Sequence, residues 1–141
     1  MICIDASLAL IWLLPAQFDE KADALREKWD NENQRIISAP LFNAEVTSVL
    51  REQVYFKRLL PEDGKEAFEI FLSMGVEIAK DSPGLQRKAW QLANKFNRPK
   101  TYDMQYLALA EIKDCEFWTA DKKLFNALGN KAPRLKYVGA L

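Results

Sequence analysis

At 141 residues, with 49% hydrophobic and 28% charged residues, the chain has the size and composition of one ordinary globular domain. Its 20 Lys+Arg balance 20 Asp+Glu and it contains no histidine, which excludes Ser-His-Asp and Cys-His catalysis, imidazole relays and His-ligated zinc. Cys3 and Cys115 are too few for a disulfide framework, so a reducing cytoplasmic setting is expected, and the longest apolar run, Leu8 to Leu14, stops at Pro15, short of the roughly 18 residues that span a bilayer.

Ile2 to Ile4 reads as a short apolar strand ending at Asp5. Ser7 is expected to cap a helix through Leu14, closed by Pro15. Phe18 to Asn31 alternates charge with Ala22, Leu25 and Trp29, as an amphipathic surface helix does. Arg35 to Ala39 reads as a second strand, and Pro40 introduces a helix from about Leu41 to Lys57. Pro61 sits at a first-turn position for a helix to about Met74, with Gly75 at its C-terminal end. Val76 to Ala79 is a third strand, and Pro83 opens a helix carrying Leu85, Ala89, Leu92 and Phe96. Thr101 is expected to cap the apolar helix Thr101 to Asp114. Glu116 to Thr119 is a fourth strand, Asp121 to Leu128 a short helix, and Leu135 to Val138 a fifth strand. Short apolar runs alternating with helical stretches predict a three-layer α/β domain, with a central parallel sheet of about five short strands between helices.

Four acids fall at informative places in that order. Asp5 and Asp121 follow the first and fourth strands, Glu45 lies early in the helix after the second, and Asp103 opens the apolar helix. Each alone is explained by the helix dipole, which favours acids near an N-terminus. Together they point further, because the carboxyl ends of parallel strands share one edge, where ligand crevices form. Their neighbours are apolar: Ile4 and Leu8, Ala44 and Val46, Tyr102 and Met104. Carboxylates crowded in such surroundings repel one another unless a cation neutralises them, and hard ions such as Mg²⁺ or Mn²⁺ suit oxygen ligands.

Four stretches carry a resemblance. They are Ile4-Asp5-Ala6-Ser7-Leu8-Ala9-Leu10 with Trp12-Leu13-Leu14-Pro15; Ala39-Pro40-Leu41 with Asn43-Ala44-Glu45-Val46 and Val49-Leu50-Arg51; Thr101-Tyr102-Asp103-Met104-Gln105-Tyr106-Leu107-Ala108-Leu109-Ala110-Glu111; and Thr119-Ala120-Asp121-Lys122-Lys123-Leu124. In this order, across nearly the whole chain, the sequence resembles the PIN-domain ribonucleases, most closely the VapC-type toxins of toxin–antitoxin pairs. The resemblance implies a single nuclease domain over residues 1–141 whose acids Asp5, Glu45, Asp103 and Asp121 line a pocket for Mg²⁺ or Mn²⁺. Thr119 matches a hydroxyl position supporting that pocket, and Ser7 a polar position just after the first acid. It also implies metal-dependent endonucleolytic cleavage of RNA, commonly a structured tRNA or rRNA, inhibition by a small antitoxin, and a homodimer.

The chemistry suits the residues, since phosphodiester hydrolysis on one or two oxygen-held ions needs no histidine. Asp5 and Asp103 are expected as principal ligands, with Asp121 and Glu45 on a second ion or orienting the water. Zero net charge is unusual for a nucleic-acid enzyme, but Lys95, Arg98 and Lys100 precede Asp103, Lys122 and Lys123 follow Asp121, and Arg51, Lys57 and Arg58 follow Glu45. Trp29, between Lys28 and Asp30, is hard to place in a core. The helices at Leu8 to Leu14 and Phe18 to Asn31, with Tyr55, Phe56 and Leu59, are expected to offer an apolar groove to a protein partner. Cys3 and Cys115 read as small buried hydrophobes. A housekeeping PIN nuclease is the near alternative, and an RNA-binding module without catalysis a remoter one. A signalling receiver domain also gathers acids at a sheet edge, but it needs a phosphoacceptor Asp after the third strand and paired acids after the first, and the first strand here is followed by no such pair.

Overall fold

The computed structural model covers residues 1–141. Its strands are β1 (Ile2–Ile4), β2 (Ile36–Ser38), β3 (Glu77–Ile78), β4 (Glu116–Thr119) and β5 (Leu135–Tyr137). All pairings are parallel, in the order β3-β2-β1-β4-β5. Ile2 lies opposite both Ile36 and Glu116, and Ile4 opposite Trp118. The chain steps outward from β1 through β2 to β3, then returns to lay β4 on the other side of β1. The carboxyl ends of β1 and β4 therefore flank the topological switch point, where an open α/β sheet has its crevice.

Seven helices sandwich the sheet: α1 (Ala6–Leu13), α2 (Glu20–Asn31), α3 (Phe42–Tyr55), α4 (Pro61–Leu72), α5 (Pro83–Lys95), α6 (Tyr102–Lys113) and α7 (Lys122–Leu128). One group forms around α1, which packs on β4 and gathers α2, α3 and α4. The other is α5 with α6, and α6 lies across β1 and β4. Their burial follows their sequences. Met104 through Ala110 of α6 are all buried, so this helix runs through the core rather than along it. In α2 only Ala22, Leu25 and Trp29 are buried, a single stripe at helical spacing. The buried apolar side chains, from Ile2 to Val138, form one continuous core.

The expected elements are all present, most of them one to three residues shorter at an end than the sequence suggested. Pro61 and Pro83 occupy the first helical positions of α4 and α5, and Gly75, just past α4, takes a left-handed φ of 74°. Gly64 is required for another reason: a β-carbon there would overlap the Val54 side chain where α4 crosses α3.

Three expectations are corrected. Ser7 does not cap α1. Asp5 does, accepting from the Leu8 N–H, because its carboxylate reaches the first free amide while Ser7 already lies inside the helix. Thr101 occupies the cap position of α6 but makes no capping bond; its Oγ1 accepts from Gln105 Nε2 at 3.4 Å instead. Trp29 is core, not groove: it is 5% exposed and makes edge contacts with Trp12 and Trp118, ring centroids 6.2 and 5.8 Å away. Its charged neighbours simply occupy the outer face of α2. Cys3 and Cys115 are buried free thiols, and burial pushes both up in pKa, away from nucleophilic reactivity. No helix is long and apolar enough to cross a membrane.

Candidate active site

The site begins with Asp5, the residue that leaves β1 and caps α1. It is 5% exposed, yet its carboxylate has no cationic partner. Hydrogen bonds hold it instead. Oδ1 accepts from Ser7 Oγ at 2.6 Å and from the Leu8 N–H at 3.1 Å, and Oδ2 accepts from Thr119 Oγ1 at 2.5 Å. Thr119 can reach because it ends β4 immediately beside β1, one residue past the Ile4–Trp118 pairing.

The two hydroxyls are themselves oriented. Ser7 Oγ accepts from the Ala120 N–H, and Thr119 Oγ1 from the Asp121 N–H, each at 3.0 Å. With those lone pairs engaged, each hydroxyl directs its single hydrogen at Asp5, and the 3.1 Å approach between the two oxygens is a contact without a shared proton. A carboxylate offers about four lone-pair positions. Three are taken, and the remaining one belongs to Oδ2.

Burial pushes the Asp5 carboxyl up to about pH 6, and the charge of Asp103 adds to that; the Ser7, Thr119 and Leu8 bonds pull the other way. Glu45, half-buried in the first turn of α3, is also raised. Burial is the main cause, with the Asp5 and Asp103 charges adding and Tyr106 opposing. Tyr106 lies one turn along α6 from Asp103. Burial first, and then Glu45 and Asp5, raise its phenol far above the ordinary range. The Tyr106 hydroxyl approaches Glu45 closely enough to favour the carboxylate's charged form but not in full hydrogen-bond geometry, and it is the one buried side-chain polar atom without a well-formed hydrogen bond.

The other two acids are more committed. Asp103, in the first turn of α6, pairs through Oδ2 with Arg98 Nη2 at 3.3 Å. Asp121 caps α7, its Oδ1 accepting from the Leu124 N–H at 3.1 Å. Asp5, Glu45 and Asp103 thus act on one another's charge, and Asp121 is tied to Asp5 through Thr119. As placed, no three acidic groups form a cluster able to hold one metal ion. The donor chemistry nevertheless fits a hard cation: an all-oxygen set, a spare lone pair on a buried carboxylate, and mutual repulsion that only positive charge relieves. Arg98 engages only Oδ2 of Asp103, and Oδ1 has no hydrogen-bond partner.

Sequence reasoning placed Arg98 among phosphate contacts and overlooked its pairing with Asp103. It also treated Tyr106 as part of a motif only, although its position three residues after Asp103 places it on the same helix face. Of the other cations, Lys122 and Lys123 are exposed at the start of α7. Arg51 and Arg58 lie over the rings of Tyr55 and Phe56, 5.5 and 5.4 Å from their centroids. The cavity of about 410 Å³ beside β3, lined by Arg35, Glu77, Lys80 and Lys113, contains none of the four acids.

The family profile of the PIN domain matches residues 2–131. Ribonuclease VapC9 of Mycobacterium tuberculosis is 32% identical over 124 residues, covering 88% of this chain and 88% of that protein. A toxin–antitoxin complex from Klebsiella pneumoniae contains a chain with the same fold, at a TM-score of 0.70 and 15% identity, covering 98% of each chain. VapC20 of Mycobacterium tuberculosis, described as a sarcin–ricin loop cleaving toxin, matches at a TM-score of 0.60 and 19% identity, over 92% of this chain and 95% of that one.

Proposed function

Since the chain belongs to the PIN-domain family, with VapC ribonucleases among its relatives, we propose that it is a Mg²⁺- or Mn²⁺-dependent endoribonuclease, the toxin of a toxin–antitoxin pair. The observation that carries this reading is Asp5. A buried carboxylate without a counter-cation, braced by two oriented hydroxyls at the switch point and left with one free lone pair, is costly unless a cation completes it.

Asp5 and Asp103 are the principal ligands in this reading, with Glu45 and Asp121 holding a second ion or orienting the attacking water. When bound, such ions supply charge neutralisation at a phosphate and acidity for a water. The chain's own residues do the rest. Ser7 and Thr119 fix the Asp5 carboxylate plane, so its free Oδ2 position has one direction. Glu45, raised in pKa by burial, is a stronger proton acceptor than an exposed carboxylate and lies beside Asp5 and Asp103 to orient the attacking water. Arg98, which gives only Nη2 to Asp103, has donors left for a substrate phosphate, with Lys100 and Lys122 beside the starts of α6 and α7.

The substrate in this reading is a structured RNA of the tRNA or rRNA class, and the one continuous core supports a single catalytic domain over residues 1–141. An antitoxin partner is supported by the groove between α1 and α4, lined by Ile11, Trp12, Phe18, Ala67 and Ile70, where Phe18 is 63% exposed. Exposed Tyr55 and Phe56 extend the apolar surface beyond α3, as a wrapped partner or a homodimer would use it; Leu59, expected beside them, packs against the core, and Leu60 is the exposed leucine there.

The test is cleavage of total RNA with Mg²⁺, with Mn²⁺ or with EDTA, comparing wild type with Asp5→Asn and Asp103→Asn. Cleavage is expected only for wild type with metal. Equal cleavage in EDTA, or by both variants, overturns the proposal.

A further inference from the structure

Two of the acids also line a cavity whose other walls metal chemistry does not use. A shallow cavity of about 440 Å³ opens between the N-terminal half of α3 and the start of α6. Its walls are Leu41, Ala44, Ser48, Val49 and Tyr102, and Glu45 and Asp103 also line it. The spacing explains the arrangement. Ala44, Glu45, Ser48 and Val49 fall on one face of α3, so the apolar wall continues directly from Glu45. On α6, Tyr102 precedes Asp103 and is 58% exposed, an aromatic surface left at the cavity edge instead of in the core.

The chemistry of these walls is asymmetric. Near the acids the site suits a phosphate neutralised by cations. A turn away it is uncharged, with a tyrosine ring, two aliphatic side chains and one hydroxyl able to donate or accept. A nucleotide has that same asymmetry: an anionic phosphate and, one sugar away, a neutral flat ring with hydrogen-bonding edges. The volume lies within the range of small-ligand sites. Stacking on an aromatic side chain is the general means by which proteins hold unpaired bases, because every base has a π-face.

We infer that this cavity is a base-binding subsite, taking one unpaired nucleobase next to the scissile phosphate, stacked on Tyr102 and flanked by Leu41 and Val49 within reach of the Ser48 hydroxyl. The inference rests on the ribonuclease reading and deepens it.

The test uses the full chain and a fluorescein-labelled, mixed-sequence single-stranded RNA, free or annealed to its complement, with binding followed by anisotropy in Ca²⁺, a hard cation able to neutralise the acids, and the RNA checked on a gel for cleavage. Tyr102→Ala is expected to weaken binding of the single strand by about 5- to 100-fold, the range found for loss of one base–aromatic stack. Tyr102→Phe keeps wild-type affinity, and duplex binding is the same for all three proteins. Because Tyr102 is exposed, both variants are expected to fold, and melting temperatures check this. Unchanged single-strand binding by Tyr102→Ala, an equal loss on duplex, or no wild-type binding to the single strand overturns the subsite and leaves the cavity to a partner protein's side chain. Cleavage of total RNA by wild type with Mn²⁺ is measured alongside. Its absence defeats the ribonuclease reading, while the anisotropy comparison still decides the subsite.

Discussion

Replacing Asp5 by Asn should make the metal-free protein more stable at neutral pH while abolishing its activity. In the folded chain Asp5 keeps its proton to about pH 6, against an ordinary value of 3.8. Between those values the folded state binds more protons than the unfolded one, so stability falls as pH rises through that window and levels off above it. At about 1.4 kcal/mol per pH unit, the gap makes burial of the charged carboxylate cost about 3 kcal/mol above pH 6. Asn carries no charge and can still accept from Leu8 N–H and Ser7 Oγ. Its amide group, however, faces the Thr119 hydroxyl, which loses its acceptor at a cost of about 1 kcal/mol. The net expectation is a gain of about 2 kcal/mol at pH 7.5 that crosses zero at about pH 4.5 and becomes a loss of about 1 kcal/mol at lower pH. Urea unfolding in EDTA across this range measures it, and the difference between the two proteins isolates Asp5 from the other carboxylates. A variant less stable than wild type at pH 7.5, or a difference that does not change with pH, would refute the reasoning.

Three further outcomes follow from neighbouring contacts. Thr119→Val removes the donor to Asp5 Oδ2 and strands the Asp121 N–H, so unfolding free energy at pH 7.5 should drop by about 1–3 kcal/mol. Tyr106→Phe removes a buried hydroxyl without a well-formed hydrogen bond, so thermal unfolding should show a neutral or stabilising change; a loss above about 1 kcal/mol would mean that Oη has a partner. Arg98→Gln frees Asp103 from a part-exposed ion pair worth at most about 1 kcal/mol, so titration calorimetry should find Mn²⁺ binding tighter by up to about fivefold.

Much of this was legible in the sequence because it is local. The apolar triplet before Asp5, the strand ending at Thr119 and the prolines opening α4 and α5 each report their own surroundings. What escaped is relational. Ser7 looks like a helix cap when only its chain neighbours are considered; that its hydroxyl is oriented by the Ala120 N–H and set beside Thr119 depends on β4 lying beside β1. Trp29 looks exposed between Lys28 and Asp30, and only the tertiary packing of Trp12 and Trp118 shows that it is enclosed. The pairing of Arg98 with Asp103 was hidden for a different reason. An arginine near an acidic site fits phosphate binding as well as it fits an ion pair, and spacing does not separate the two.

The pairing of β1 with β4 also sets when the site comes into being. Asp5 is made almost first and Thr119 almost last, and the hydroxyl that orients the carboxylate reaches it only after β4 has inserted next to β1. A growing chain therefore carries Asp5 with only its local Ser7 and Leu8 partners through most of its synthesis, and closing the site waits on the longest-range strand pairing in the sheet, a slow kind of contact to form. A chain that ends between α6 and β4, whether a translation intermediate or a proteolytic fragment, contains Asp5, Glu45 and Asp103 but not the Thr119 brace.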